Sequence, residues 1–270
     1  MRRWLVGLAL VSGCLQAPSY DGTAYLCAKD PVCPGGFSCV AGVCVAAPEQ
    51  RDDVVRFAPG TFTMGCDAGQ TGCPSNAQPS RQVTLSGFQI QITEVSFGDY
   101  AACVDHGCPD LGYTDAPEAP VRNLPFSAAQ SYCSFIGMAL PTEAQWERAA
   151  RGGDDFVYPW NEDTTDCAHA NLATCDGVPR AVTTDDAGTT EDGIRALAGN
   201  VREWVFDVAG AYAPGDVTNP TGPLDASQIH VTRGGSFKTA AELGMVWARV
   251  DEDQVHAPDD LGVRCALTLP

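Results

Sequence analysis

The sequence predicts an α+β protein with short helices, short strands and long loops, preceded by a small disulfide-bonded module. Apolar residues alternate along residues 81–92, as they do in a half-buried strand. Capping residues mark the starts of three short helical segments. Glycine, proline, aspartate and threonine dominate from residue 153 to residue 195, and this composition predicts long loops that a disulfide or a metal must hold in place.

The first residues have the pattern of an export signal. Two arginines precede an apolar run at residues 4–11, which is too short to span a membrane as a mature helix. The segment Val11-Ser-Gly-Cys14 that follows resembles the bacterial lipobox, in which the cysteine becomes the lipid-carrying N-terminus. We therefore expect a signal peptide at residues 1–13, a lipid on Cys14 and a tether at residues 14–25. The alternative is an ordinary signal peptide with a chance cysteine.

These features predict an exported protein that is anchored to the cell envelope. Leu15 and Gln16 follow Cys14 in place of the aspartate associated with inner-membrane retention, which favours the outer membrane. The chain has a formal net charge of −18 at pH 7. Such an excess of carboxylates disfavours nucleic acid as a partner and favours cations, although it is also typical of a solvated exterior surface.

Thirteen cysteines in an exported chain predict disulfides, because that compartment is oxidising. Setting Cys14 aside leaves twelve, an even number. Zinc is the competing explanation for clustered cysteine, but the paired Cys-x-x-Cys spacing of zinc sites is missing. Pairing sequence neighbours, and then the two cysteines left over, gives Cys66 with Cys73, Cys103 with Cys108, Cys167 with Cys175, and Cys133 with Cys265.

The other four cysteines lie in residues 26–46, a module too short to bury a core without crosslinks. They are Cys27, Cys33, Cys39 and Cys44. Four cysteines allow three pairings, and the sequence does not choose among them. A linker at residues 47–53 separates this module from a single domain at residues 54–270.

The elements of this domain follow from local signals. Residues 57–65 predict a strand after a turn, and residues 81–92 predict a second strand. Ser96 is the expected N-cap of a helix at residues 96–106, and Ser127 is the expected N-cap of a helix that runs through Ile136 and ends at Gly137.

Two further segments complete the domain. Thr142 followed by Gln145 has the spacing of a capping box, and the helix that it starts is expected to end at the glycine pair 152–153. Residues 233–249 begin as a strand, break at Gly234 and Gly235, and continue as a second run. Two glycines allow the chain to turn there and to approach another backbone closely.

Eight short motifs, in this order, make the domain resemble the formylglycine-generating enzyme (sulfatase-modifying factor) family. The resemblance covers nearly all of residues 57–267 and implies a C-type-lectin-like fold. The motifs are Gly60-Thr-Phe-Thr-Met-Gly65, Glu94-Val-Ser96, Pro120-Val-Arg-Asn123, Leu140-Pro-Thr-Glu-Ala-Gln-Trp-Glu-Arg-Ala-Ala-Arg-Gly-Gly153, Tyr158-Pro-Trp160, Ala198-Gly-Asn-Val-Arg-Glu-Trp204, Arg233-Gly-Gly-Ser-Phe237 and Leu261-Gly-Val-Arg-Cys265.

The resemblance also implies where catalytic thiols would stand. Family members that convert a sulfatase cysteine to formylglycine use two cysteines after the Gly-Gly-Ser motif to bind copper and activate oxygen. The corresponding positions here are Thr239 and Gly244, and neither supplies the thiolate that copper(I) prefers. We therefore expect copper to be absent and the protein to be a pseudoenzyme that acts as a surface module binding a peptide, protein or glycan.

Two alternatives to this binding module remain open. One is an oxidoreductase on the same fold, of the formylglycine-generating type or with another metal. A sulfoxide-synthase-like iron site is disfavoured because the four histidines are scattered along the chain. The other alternative is a folded stalk or partner subunit of an envelope complex. The fold alone does not decide between these roles, because sites and not folds carry chemistry.

The family's calcium sites have counterparts in this chain. The resemblance places one structural calcium ion among Asn171, Leu172, Asp176 and Val178, and a second among Gly199, Val201 and Glu203. Side-chain and carbonyl oxygens suit a hard cation, but Ala196 stands where the family has a further ligand of the second site.

The charged and aromatic residues of the motifs also have structural interpretations. We expect four arginines to pair in the interior with Glu143, Glu147 and Glu203, because arginine suits fixed bidentate pairing. We expect three tryptophans to be core residues. These arginines and tryptophans are Arg151, Arg233, Arg249 and Arg264, and Trp146, Trp204 and Trp247.

Overall fold

A computed structural model of the chain describes residues 51–151, 156–160, 162–184, 187–223 and 227–269. It also describes the backbone, without side chains, of three short strands nearer the N-terminus. The predicted signal peptide, Cys14 and most of the predicted tether lie outside the described residues. Within the part of the chain that is described, no helix has the length and apolar character needed to cross a bilayer.

The three N-terminal strands form a small antiparallel sheet in the order β1-β3-β2. They are Tyr25–Leu26 (β1), Phe37–Val40 (β2) and Val43–Ala46 (β3). The register places Cys39 opposite Cys44. This sheet coincides with the predicted cysteine-rich module, while Cys27, Cys33 and the sulfur atoms of all four cysteines lie outside the described residues.

Ten further strands form three small sheets within one domain. The sheets have the orders β13-β7-β4, β5-β6-β9 and β11-β10-β8-β12. The strands are Val54–Phe57 (β4), Gly60–Met64 (β5), Arg81–Leu85 (β6), Phe88–Gln91 (β7), Arg202–Val208 (β8), Val217–Thr218 (β9), Ile229–Arg233 (β10), Arg249–Asp253 (β11), Leu261–Gly262 (β12) and Ala266–Thr268 (β13).

The single strand predicted at residues 81–92 is wrong. The chain breaks at Ser86 and Gly87 into β6 and β7, which belong to different sheets. Only β6 has the half-buried alternation, whereas all four residues of β7 are buried because β7 lies between β4 and β13. A side chain at position 87 would approach the carbonyl oxygen of Phe57 to 3.3 Å, so glycine allows the close passage.

Three α-helices occur in the described residues, at Phe97–Val104 (α1), Phe126–Phe135 (α2) and Glu143–Arg151 (α3). The capping prediction for α1 is confirmed, since the Asp99 amide donates to Ser96 Oγ at 3.1 Å. The capping box of α3 is also confirmed. The Gln145 amide donates to Thr142 Oγ1 at 3.2 Å, and the Thr142 amide donates to Gln145 Oε1 at 2.9 Å.

The predicted start of α2 is wrong by two residues. Pro125 and not Ser127 is its N-cap, with an extended backbone, and the Pro125 carbonyl accepts from the amides of Ala128 and Ala129 at 3.0 and 3.1 Å. The helix therefore begins before Ser127. Its predicted end is confirmed, since Gly137 adopts φ of +75° directly after the last turn.

The core has the three predicted tryptophans at its centre. Trp146, Trp204 and Trp247 are fully buried, and each indole N–H donates to an acceptor elsewhere in the domain. These acceptors are Glu203 Oε2 at 2.7 Å, the Leu124 carbonyl at 2.6 Å and the Gly72 carbonyl at 3.1 Å, respectively. The rings therefore add apolar mass without leaving an unpaired donor.

Four disulfides crosslink the described domain. They join the neighbour pairs expected from the sequence and the long-range pair, namely Cys66–Cys73, Cys103–Cys108, Cys167–Cys175 and Cys133–Cys265. The last pair ties α2 to the segment between β12 and β13 across 132 residues of sequence. The loop at residues 166–176 is held by Cys167–Cys175, as its composition required.

Candidate functional site

A small cavity lies beside the glycine turn at the end of β10. Gly234 and Gly235 have φ of +90° and +66°, and a Cβ at position 235 would come within 2.8 Å of Thr239 Oγ1. Glycine is therefore required for the turn. The cavity, which we call the Gly-Gly cavity, has a volume of about 120 Å³ and is lined by Arg202, Thr232, Gly234, Gly235, Thr239, Leu243, Ala248, Val250 and Asp260.

Thr239 and Gly244 differ in their relation to this cavity. Thr239 lines it, and its hydroxyl is engaged within the turn, accepting from the Ser236 amide at 2.7 Å and donating to the Ser236 carbonyl at 3.2 Å. Gly244 is buried at the end of a short 3₁₀ helix, where an added Cβ would lie 3.4 Å from Ala198 Cβ. A Cβ at position 244 would therefore meet only ordinary packing contacts.

Charged residues that the sequence analysis did not identify line or adjoin the Gly-Gly cavity. Arg202 donates to Glu252 at 2.7 Å and to Asp260 at 3.4 Å. Asp260 also accepts from Ser236 Oγ at 2.6 Å. Burial alone would raise the pKa of Glu252, but hydrogen bonds from His256 and Arg202 outweigh burial and lower that pKa. Only the position of Arg202 inside the Gly-Asn-Val-Arg-Glu-Trp motif could have pointed to this group.

No free thiol is found near this cavity or elsewhere among the described side chains. The eight cysteines whose side chains are described are all joined in disulfides. Within the same part of the chain, no three histidine, cysteine, aspartate or glutamate side chains come together as metal ligands do. A soft metal such as copper(I) therefore has no thiolate ligand among these residues.

Beneath the turn, the predicted arginine–glutamate pairs are confirmed. Arg233 is fully buried and lies 3.2 Å from Glu143 and 2.6 Å from Glu147. Arg249 pairs with Glu143, and Arg151 pairs with Glu147, both at 2.8 Å. Burial opposes ionisation of Glu147, but the two neighbouring guanidinium groups prevail and lower its pKa. This network fixes α3 against β10 and β11 and so supports the turn from below.

Arg264 makes the fourth predicted pair, with Glu203. The guanidinium donates to both Glu203 oxygens at 2.7 to 2.9 Å, and Trp146 donates to Oε2 at 2.7 Å. These contacts use the acceptor capacity of Glu203. Since Ala196 offers no side-chain oxygen, the set Gly199, Val201 and Glu203 does not fit a calcium ion in this arrangement.

The first predicted calcium set fits a cation better. Asn171 is buried, its Oδ1 has no hydrogen-bond partner among the described residues, and its Nδ2 donates to the Val178 carbonyl at 2.8 Å. The Leu172 carbonyl accepts from the Cys175 amide at 2.9 Å. Asp176 is half-exposed and bonds to Arg180 at 2.6 Å. An unpaired buried oxygen is thus available, although the nearby carboxylate already has a cationic partner.

A buried acidic group lies next to this loop. Glu94 accepts from the Val201 amide at 3.0 Å and from Asn200 Nδ2 at 2.6 Å. Burial, and then repulsion from Glu203, raise the pKa of Glu94 to about 8. Glu94 was identified in the sequence only as part of a motif, without a role.

The fold has a close counterpart among solved structures. PvdO from Pseudomonas aeruginosa superposes with a TM-score of 0.70 at 20% sequence identity, covering 92% of this chain and 98% of PvdO. At this identity the likeness establishes the fold alone, which is that of the formylglycine-generating enzyme class.

Sequence comparison establishes the family. Residues 40–269 match the model of the sulfatase-modifying factor enzyme 1-like domain, and the chain belongs to this family. The formylglycine-generating enzyme of Thermomonospora curvata is 34% identical over 178 residues, covering 58% of this chain and 58% of that enzyme. The inactive C-alpha-formylglycine-generating enzyme 2 of Mus musculus is 30% identical over 290 residues, covering 80% of this chain and 86% of that protein.

Proposed function

We propose that this protein is a binding module of the formylglycine-generating enzyme fold that does not oxidise cysteine. The observation that carries the proposal is the glycine turn, where Thr239 and Gly244 stand in place of two thiols. The Thr239 hydroxyl is bound within the turn, and the eight cysteines whose side chains are described are joined in disulfides. Similarity to a relative named as inactive also supports it.

The Gly-Gly cavity is the place where such a module would receive part of its partner. Its lining is mostly apolar, with Arg202 and Asp260 as its charged groups, and at about 120 Å³ it admits a side chain rather than a whole small molecule. We infer that the partner is a peptide or protein segment that inserts a polar side chain here. That side chain would form hydrogen bonds with Arg202 and Asp260, and the site would bind its partner without the copper-dependent oxidation that the enzymes carry out.

Metal binding and oxygen consumption test this proposal. The purified protein, offered Cu(I) and a cysteine-containing sulfatase peptide, should retain no stoichiometric copper and consume no oxygen above a buffer control. The double variant Thr239→Cys with Gly244→Cys is the matched control and should bind Cu(I), because it restores two thiolates and an added Cβ at position 244 meets only ordinary contacts. One copper or iron per wild-type chain, or peptide-dependent oxygen uptake, would refute the proposal.

We also propose that the module is held at the cell envelope by a lipid on Cys14, in the outer membrane. The lipobox-like segment and the residues after Cys14 support this placement. A structural calcium ion among Asn171, Leu172, Asp176 and Val178 is part of the same proposal, supported by the unpaired oxygen of Asn171. The second set, Gly199, Val201 and Glu203, is left out because Arg264 holds its carboxylate.

A further inference from the structure

A second and larger cavity lies beside the loop that contains β9. It has a volume of about 570 Å³, within the range of small-molecule sites, and Thr239 and Gly244 are not among its lining residues. We call it the Tyr212 groove. Its polar wall is formed by Arg81, Glu143, Asp207, Tyr212 and Arg249, and its rim by residues 217–223.

Tyr212 is fixed firmly in this wall. The Arg81 and Arg249 guanidinium groups lie 4.3 and 4.4 Å from the centre of its ring, and its hydroxyl donates to Glu143 Oε1 at 3.1 Å. Glu143 is further bound by Arg233 and Arg249. The side chains of the polar wall are therefore preorganised, as a binding site requires.

Asp207 is the acidic member of the wall without a direct arginine partner. Its side chain is buried, and its Oδ2 accepts from the Glu143 amide at the start of α3 at 2.7 Å. Among the described residues, no hydrogen bond to its Oδ1 is found. Burial, and then repulsion from Glu143, raise the pKa of Asp207 to about 7. Since Asp207 lines the groove, its Oδ1 is an acceptor that a ligand donor can use.

Arg81 supplies hydrogen-bond donors to the same groove. Its Nη1 donates to the Ala213 carbonyl at 3.3 Å, while its Nε is buried and has no acceptor among the described residues. The groove thus combines an unpaired acceptor on Asp207 with the Arg81 guanidinium, whose Nη1 carries a second N–H besides the one donated to Ala213. Both residues line the same cavity.

This combination selects a class of ligand. A cation would face Arg81 and Arg249, and an anion would face Glu143 and Asp207, so a ligand with net charge gains little and loses its hydration. A hydroxyl group both donates and accepts, and a compound with several hydroxyls satisfies both free groups at once. We propose that the Tyr212 groove binds a neutral polyhydroxyl compound, such as a terminal sugar of a glycan, through hydroxyls on Asp207 and Arg81.

Saturation-transfer NMR on the purified protein tests this site. The probes are the methyl glycosides of glucose, galactose, mannose and N-acetylglucosamine, with glycine as a zwitterionic comparison. At least one glycoside should give saturation transfer and glycine none. Asp207→Asn should weaken that binding roughly fivefold, since its amide oxygen can still cap α3 while its NH₂ group replaces the free acceptor.

Arg81→Gln should weaken binding to a similar extent and is independent of the helix cap. Arg122 lies over Tyr113, outside the groove. The variant Arg122→Gln is therefore the matched control and should bind as the wild type does. Thermal unfolding establishes that each variant is folded, and one folded groove variant is enough for the test. Absence of transfer to all four glycosides, preference for glycine, or binding that Asp207→Asn and Arg81→Gln leave unchanged would overturn the proposal.

Discussion

Glu147 joins three parts of the chain that are far apart in sequence. It accepts from the Gly65 amide at 2.7 Å and from Arg151 and Arg233 at 2.8 and 2.6 Å. Arg151 continues this network to the Gly65 carbonyl. Because each charge has lost its water, the network is stable only while all partners are present. The motifs of this family therefore act together in the interior, as fixed charge pairs beneath the glycine turn.

Replacing one of these partners should lower the stability of the domain strongly. Arg233→Ala leaves Glu143 and Glu147 buried with fewer cationic partners, and we expect it to lower the free energy of unfolding by about 3–5 kcal/mol. Urea unfolding followed by tryptophan fluorescence measures the change. Arg122→Ala, which breaks the more exposed pair with Asp115, is the control and should change stability by about 1 kcal/mol or less. Equal effects of the two variants would contradict the interpretation.

Glu94 should make stability depend on pH. Its pKa is about 8 in the folded protein, against an ordinary value of 4.5, so between these values the folded state holds a proton that the unfolded state has released. The stabilising effect of that proton is lost as pH rises. We expect unfolding free energy to fall from pH 5 to pH 8 and the fall to be smaller in Glu94→Gln. A variant with the same pH slope as the wild type would show that Glu94 is not responsible.

At the scale of elements, local signals were sufficient where one segment determines its own structure. Ser96, Thr142 and Gln145 started helices as predicted, because a cap bonds only to the next few residues. The strand at residues 81–92 was predicted as one, because division into β6 and β7 depends on β4, β5, β9 and β13, which are distant in sequence.

The same distinction applies to the sites. The Arg–Glu pairs and the missing thiols followed from motifs, because the family resemblance already aligns those residues. Arg202, Glu252 and Asp260 were not predicted, since three separate segments bring them together at the Gly-Gly cavity. Asp207 was also missed, because nothing in a lone aspartate on a strand indicates that one of its oxygens lacks a partner.

The disulfides should contribute unequally. In the chain-entropy model, a crosslink spanning 132 residues restricts the unfolded chain more than one spanning 7, by about 2.5 kcal/mol. We therefore expect Cys133→Ala with Cys265→Ala to lower the melting temperature more than Cys66→Ala with Cys73→Ala does. Differential scanning calorimetry measures both. A larger loss from the short crosslink would mean that local packing, and not loop closure, dominates.

The loop at residues 166–178 should respond to calcium if the first site binds it. A ligand that binds only the folded state raises the melting temperature, and the rise grows with the logarithm of its concentration above the Kd. Added Ca²⁺ should therefore stabilise the wild type over a chelator-treated sample, and Asn171→Ala should abolish this difference. Asn76→Ala, which removes a side-chain contact to Arg249 outside this loop, is the control and should keep the response. No calcium effect on the wild type would exclude the site.

At the scale of the molecule, the domain combines a net negative charge with four disulfides and buried charge pairs among the described residues. The formal net charge of −18 means that carboxylates outnumber basic groups. Arg233 and Arg264 are paired with glutamates in the interior. The crosslinks restrict the unfolded chain, and the glycine turn offers no thiol. Both properties depend on the redox state of the cysteines.

The mature protein should therefore contain no titratable thiol when it is unfolded without reductant. Twelve cysteines are expected in disulfides and Cys14 in a thioether to lipid, so alkylation under these conditions should label no cysteine in peptide mass spectrometry. The variant Thr239→Cys is the positive control and should be labelled at that position alone, because no unpaired cysteine is expected nearby. Label on Cys14 would refute lipidation without touching the binding-module proposal. Label on cysteines of the folded domain would instead reopen thiol-dependent metal chemistry, since a free thiolate is the ligand that copper(I) requires.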